Sequence, residues 1–219
     1  MKKSLLIIIG VVFLLGLVGT ANATLYDRGG GLIYDSDQDI TWLQNANYAG
    51  IIMNWANAVA WADTLSYYDS VRGVTWDDWR LPTTMDGPYV YGYDGTTTAG
   101  HNITTSEMGY MYYVNLGNLG YYTTDGNYQS GYGVNNTGPF DNLQPIFSWS
   151  GTEYASEPAC AWGFFFYNGL QTITGKAGGG FAWAVRPGDV SAVPIPSAIW
   201  LLGSGLIGIV GFWQKLKKI

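Results

Sequence analysis

The chain has one cysteine and one histidine in 219 residues. A single cysteine excludes an intramolecular disulfide, a CxxC redox pair and a cysteine-rich zinc site. Cys160 lies in the apolar run CAWGFFFY and is expected to be a buried, inert thiol. A single histidine leaves no second imidazole for a transition-metal site, so His101, in a Gly/Thr-rich stretch, reads as a solvated loop residue. Cations are scarce as well. Outside the two terminal segments only Arg28, Arg72, Arg80, Lys176 and Arg186 remain, against sixteen acidic residues, a formal charge of −11 between residues 24 and 192. Nucleic acids and sulfated or phosphorylated polymers are held through clustered Lys and Arg, so they are excluded as expected partners. Divalent cations and neutral ligands suit such a surface. No Ser–His–Asp order, phosphate loop or fixed pair of carboxylates points to catalysis, and no enzyme is expected. With sixteen acids available, an enzyme acting on envelope glycans stays as an alternative.

Long apolar runs occur only at the two ends. Lys2 and Lys3 precede the apolar core Leu5 to Val18, and Ala21-Asn22-Ala23 fits a small-residue cleavage site. A signal peptide over 1–23, cleaved after Ala23, would place 24–192 outside the cytoplasm as one domain. At the other end Val193, Pro194 and Pro196 form an extended junction. It leads into 17 apolar residues, Ser197 to Trp213, which span roughly 25 Å as a helix, enough to cross a bilayer core. Gly203, Ser204 and Gly205 make one side of that helix poor in bulk and able to pack closely on another. Lys215, Lys217 and Lys218 follow and should stay cytoplasmic.

This order of parts resembles PEP-CTERM, the C-terminal sorting signal of exported bacterial proteins processed by a membrane transpeptidase called exosortase. The resemblance covers 193–219 alone. It implies an exosortase-like enzyme as a partner, transient residence in the inner membrane through the helix 197–213, and delivery to the cell surface or extracellular matrix. A domain anchored permanently by an uncleaved tail is the alternative.

Between the ends, Asn54 to Leu65 places Trp55, Val59 and Ala62 on one face, and Asn54 is a suitable helix cap. Ser106 to Leu116 predicts a second helix, capped by Thr105 or Ser106, with Glu107 in its first turn and Met108, Met111, Tyr112 and Asn115 facing inward. Strands are predicted at Leu32–Tyr34, Ile40–Leu43, Trp79–Leu81, Phe147–Ser150, Trp162–Asn168, Gln171–Thr174 and Phe181–Arg186, with Gly169-Leu170 as a hairpin turn. Long loops rich in Gly, Tyr, Asn and Thr run from Gly87 to Asn102 and from Gly117 to Pro139. Two helices followed by a run of strands predict an α+β domain.

Several segments in order, LIYDSDQDITWLQNA (32–46), WRLPT (79–83), the helix carrying Glu107 and Met108, FSWSGTEY (147–154), AWGFFFYNG (161–169) and AWAVRPGD (182–189), resemble the Lcl C-terminal domain family. The resemblance spans nearly the whole domain and implies a C-type lectin-like fold: two helices, several short antiparallel strands and long loops. Formylglycine-generating enzymes share a WRLPT-like element, but their chemistry needs a cysteine pair or a copper site that one cysteine cannot supply. The shared residues Trp79, Arg80, Leu81, Pro82, Trp149, Ser150, Gly151 and Arg186 read as structural. Pro82 fixes the backbone after Leu81, and Trp76 and Trp79 are large enough to hold a core layer. Arg80 and Arg186 are expected in ion pairs, with Asp77, Asp78 or Glu153 as partners. Some members of the family bind sulfated glycosaminoglycans, an activity that −11 argues against here.

Asp35, Asp37 and Asp39 have the alternate spacing of a calcium loop, but Ile40 and Ala46 stand where an EF-hand needs Gly and Glu. Asp residues in a hairpin turn need no metal. Calcium at this triplet is the one cofactor left open. Glu157-Pro158-Ala159 is similar to the Glu-Pro-Asn of sugar-binding lectins but lacks the amide-bearing third residue. Tyr89, Tyr91, Tyr93, Tyr121, Tyr122, Tyr128 and Tyr132 could stack on sugar rings or pin their own loops. Together these features lead to an exported, non-catalytic surface or matrix protein that binds glycan or protein in the envelope or exopolysaccharide.

Overall fold

The computed structural model describes residues 25–190. Leu32–Asp35 and Ile40–Leu43 are short runs of β-branched and aromatic residues, and Asp39 takes a left-handed conformation (φ 50°) in the turn between them. With Leu25–Asp27 (β1) on the outside, these strands (β2, β3) form an antiparallel sheet. It is completed by Val185–Pro187 from the far end of the domain, giving the order β1-β2-β3-β11.

A second sheet has the order β6-β7-β10-β9-β8. Its body is Phe147–Glu153 (β8), Cys160–Phe165 (β9) and Leu170–Gly175 (β10), and it is extended by Tyr91–Gly92 (β6) and Ala99–Gly100 (β7). Only the β6–β7 pair is parallel. Tyr67–Asp69 (β4) and Val74–Trp76 (β5) make a separate hairpin. Among the described residues four tryptophans are fully buried, in three clusters: Trp42 and Trp183 share the largest, Trp149 packs with Ala58 and Ala62, and Trp162 packs with Ala99 and Tyr154. The ring of Trp183 contacts Trp42, Phe140 and Phe166, and its indole N–H donates to the Leu43 carbonyl, whereas the buried indole N–H of Trp42 has no partner among the described residues.

Among the described residues one full helix is present, Trp55–Asp63 (α1). Asn54 caps it by accepting from the Asn57 N–H; Ala58 and Ala62 are buried, while Trp55 and Val59 of the expected face are half-buried. The second helix is much shorter than 106–116. Ser106 caps a single α-helical turn, Glu107–Tyr110 (α2), after which Met111–Asn115 is π-helical and the Leu116 N–H donates to the Met111 carbonyl. The widened turn brings Met111, Tyr112 and Asn115 to the interior together.

These findings correct the expected α+β, C-type lectin-like architecture. The regular structure of the described residues is mostly β: eleven strands against one nine-residue helix, one four-residue α-helical turn and one five-residue π-helical turn. The excess comes from β1 and from the two- and three-residue strands β4 to β7, too short to produce a periodic pattern. No helix among the described residues is long and apolar enough to cross a membrane. The segment 197–213, expected to do so, and the signal sequence 1–23 lie outside the described residues. Trp79–Leu81 is no named strand; Arg80 makes an isolated two-way bridge with Val185. In place of Trp162–Asn168 the strand is Cys160–Phe165, and residues 166–169 form a four-residue turn. Of Phe181–Arg186 only the end is strand, and Phe181 bridges Ser148 instead.

Candidate functional site

The WRLPT segment is a staple between the two sheets. Trp79 and Leu81 are buried, and the indole N–H of Trp79 donates to the Trp76 carbonyl. The Pro82 carbonyl accepts from the Gly151 N–H and the Ser150 hydroxyl on β8. Trp149, beside them, is buried and donates to the Met53 carbonyl. The guanidinium of Arg80 forks onto Glu107 at 2.7 Å on both oxygens, and Glu107 also accepts from the Thr83 N–H. That partner was not among those expected from sequence. Arg186 forks onto Asp78 at 2.7 and 2.9 Å and lies 4.1 Å from the centre of the Trp76 ring.

The remaining three cations are paired too. Arg28 meets Asp189, Lys176 meets Glu153, and Arg72 meets Asp69. Asp69 is fully buried and also accepts from the Val71 and Arg72 N–H groups and the Trp76 indole. Burial pushes its pKa up, but the bonds to Arg72 and Trp76 outweigh this and hold it below the usual carboxylate value. Every Lys and Arg side chain among the described residues therefore already faces a carboxylate.

The Asp triplet is not gathered at one point. Asp35 is buried and accepts from the Asp37 and Gln38 N–H groups and, at 2.5 Å, from the Asn115 amide; burial raises its pKa, partly offset by Asn115. Asp37 accepts from the Tyr110 hydroxyl and Asp39 from the Tyr34 hydroxyl, bonds that push both phenols up to about 12. Among the described residues no group of three His, Cys, Asp or Glu side chains is placed to hold a metal ion. Glu157-Pro158-Ala159 is an exposed turn between β8 and β9. Cys160 is half-buried, where a fully buried thiol was expected, and desolvation followed by the Glu157 charge pushes its pKa up.

His101 departs furthest from expectation. It is only 2 % exposed, enclosed by the rings of Tyr91, Tyr93 and Tyr122, and its Nδ1 has no partner. Desolvation lowers its pKa, so the folded protein favours the neutral ring. The tyrosines around it continue outward. Tyr122 contacts Tyr121, which contacts Tyr128 and Tyr132, mostly edge to face. Tyr89 stacks on the buried Trp162. All seven loop tyrosines thus contact a ring of the protein itself, which pins the loops.

Pinning of the second loop leaves a cleft. Bridges Leu119–Gly133 and Tyr122–Tyr128 turn 119–133 into an irregular hairpin. Between it, the π-helical segment and the Asn102–Thr104 turn is a space of about 400 Å³. Its lining is amides, hydroxyls, backbone and a few apolar groups, without an Asp, Glu, Lys, Arg or His. Sequence reading marked this loop as long and tyrosine-rich; the cleft itself depends on contacts between segments far apart in the chain.

No match was found to any curated protein or to any solved structure. A family model does match, that of the Lcl C-terminal domain, over residues 31–186. The match runs from β2 through Arg186, takes in the whole WRLPT staple with both of its ion-paired arginines, and covers well over half of the chain. The chain belongs to the Lcl C-terminal domain family.

Proposed function

We propose that this protein is an exported, non-catalytic binding domain of the cell surface or extracellular matrix, and that its ligand in the envelope or exopolysaccharide is uncharged. Membership of the Lcl C-terminal domain family supports a surface-associated role. The observation that carries the reading is the pairing of all five described cations with carboxylates. A sulfated or uronic polymer would have to displace one of these pairs and approach an excess of negative charge. Sorting follows from the tail: Val193, Pro194 and Pro196 with the run beyond them serve as a label read by an exosortase-like enzyme.

A glycan array probed with the exported protein at low salt tests the ligand class. Retention by neutral glycans and not by sulfated ones is expected; retention by sulfated glycans alone would refute it. The intact mass of the exported product tests the sorting, with loss of residues at the C-terminal end expected. A mature product that keeps 193–219 would rule sorting out.

A further inference from the structure

We propose that the cleft beneath the 119–133 hairpin is the ligand site, and that it takes a short uncharged saccharide of one or two rings. The proposal rests on the reading that the ligand is neutral. At about 400 Å³ the cleft falls at the lower end of the roughly 300–1,000 Å³ typical of small-molecule sites. It is open at one side, as a site for the end or edge of a chain requires.

Two kinds of surface meet in it. Val114 and Leu119 line it while remaining 41 % and 45 % exposed, an apolar wall for the C–H face of a sugar ring. The same cleft is lined by groups able to hydrogen-bond ring hydroxyls. The hydroxyls of Thr104 and Thr124 bond to no other described residue and are exposed. Gln129 gives its amide N–H to the Gly120 carbonyl, which turns the amide so that its oxygen remains to accept. An apolar face bordered by uncharged donors and acceptors is the chemistry of a saccharide, not of an acid, an amine or a metal ion.

The groups beneath are committed to the walls. The buried Asn118 amide donates to the Asn136 carbonyl and accepts from the Asn135 and Asn136 N–H groups. Tyr112 and Tyr113 donate to the carbonyls of Leu119 and Gly169. The walls are therefore held before a ligand arrives, which lowers the ordering cost of binding.

The test is titration of the full chain with maltose, cellobiose, lactose and chitobiose, followed by saturation-transfer NMR, for the parent and for Thr124→Trp and Val114→Trp. Both substitutions fill the cleft from exposed positions and remove no hydrogen bond seen in the structure. Binding of at least one disaccharide is expected, weakened tenfold or more in each variant, with melting temperatures close to the parent. Thr104→Ala should weaken it severalfold. Undiminished binding in a folded variant would overturn the site while leaving the neutral-ligand reading intact. No binding by any uncharged disaccharide, or competition by an unstructured peptide alone, would overturn the saccharide assignment. Binding of a uronic disaccharide in place of the neutral ones would overturn the neutral-ligand reading itself.

Discussion

His101 shows how a residue of ordinary chemistry acquires a role from its surroundings. In the unfolded chain it titrates near 6.5, whereas burial among Tyr91, Tyr93 and Tyr122 lowers its pKa in the folded protein. A lowered folded-state value means that the stability this group confers is complete above about pH 6.5. It falls away as pH drops towards the folded-state value, because the unfolded chain takes up the proton first. Stability should therefore decline on acidification from pH 7 to pH 5, by urea midpoint, and His101→Phe should flatten that decline. An unchanged slope in His101→Phe would mean that another group titrates there. Asp35, whose pKa is raised, works in the opposite direction: its burial costs stability as pH rises, and protonation relieves it. The arginines illustrate the limit of sequence reading at this scale. That Arg80 and Arg186 would find carboxylates followed from the acid excess; that Arg80 would choose Glu107, 27 residues away, did not.

At the scale of elements, boundaries with a local chemical cause were legible. Asn54 caps α1, and β3 begins and ends at Ile40 and Leu43 as its composition suggests. The second helix was overextended because its apolar spacing fits both an α-helix and the π-helical turn that replaces it. Gly109 is the tightest point of that region. A Cβ placed there would lie 2.2 Å from the Ile103 carbonyl oxygen and 2.8 Å from the Ser106 hydroxyl that caps α2. Alanine at this position has better intrinsic helix propensity but no room. Gly109→Ala should destabilise the fold by about 1–3 kcal/mol, the usual range for overpacking, measured by chemical denaturation. A neutral or stabilising effect would show that the α2 turn can move away from the 101–106 loop. Because α2 carries Glu107 and continues into Tyr112 and Tyr113, which donate to the Leu119 and Gly169 carbonyls, the same substitution should also loosen the 119–133 hairpin in hydrogen exchange.

For the whole molecule the governing quantity is charge. The five described cations are all paired, so the formal −11 is carried by carboxylates without a basic partner. Their mutual repulsion is screened as ionic strength rises, while the pairs, several of them partly buried, are screened less. The melting temperature should rise between about 10 and about 200 mM NaCl. Calcium should add no more than magnesium at matched ionic strength, since Asp35, Asp37 and Asp39 are each bonded to separate protein groups. A specific calcium stabilisation would show that the triplet can rearrange around an ion.

What the sequence by itself determined were properties that need no partner: no disulfide, a strong acid excess, two helix caps and the two central strands of the first sheet. It also carried the Lcl C-terminal domain motif, whose Trp79, Pro82 and Arg186 are recognisable from local order alone. Only the tertiary structure decided which acid meets which base, that the lone histidine is buried, and that a loop hairpin stands off a π-helical turn to leave a neutral cleft. Those outcomes rest on contacts between distant segments, such as Asn102 with Tyr122 and Tyr113 with Gly169, and their energies depend on geometry that no local pattern encodes.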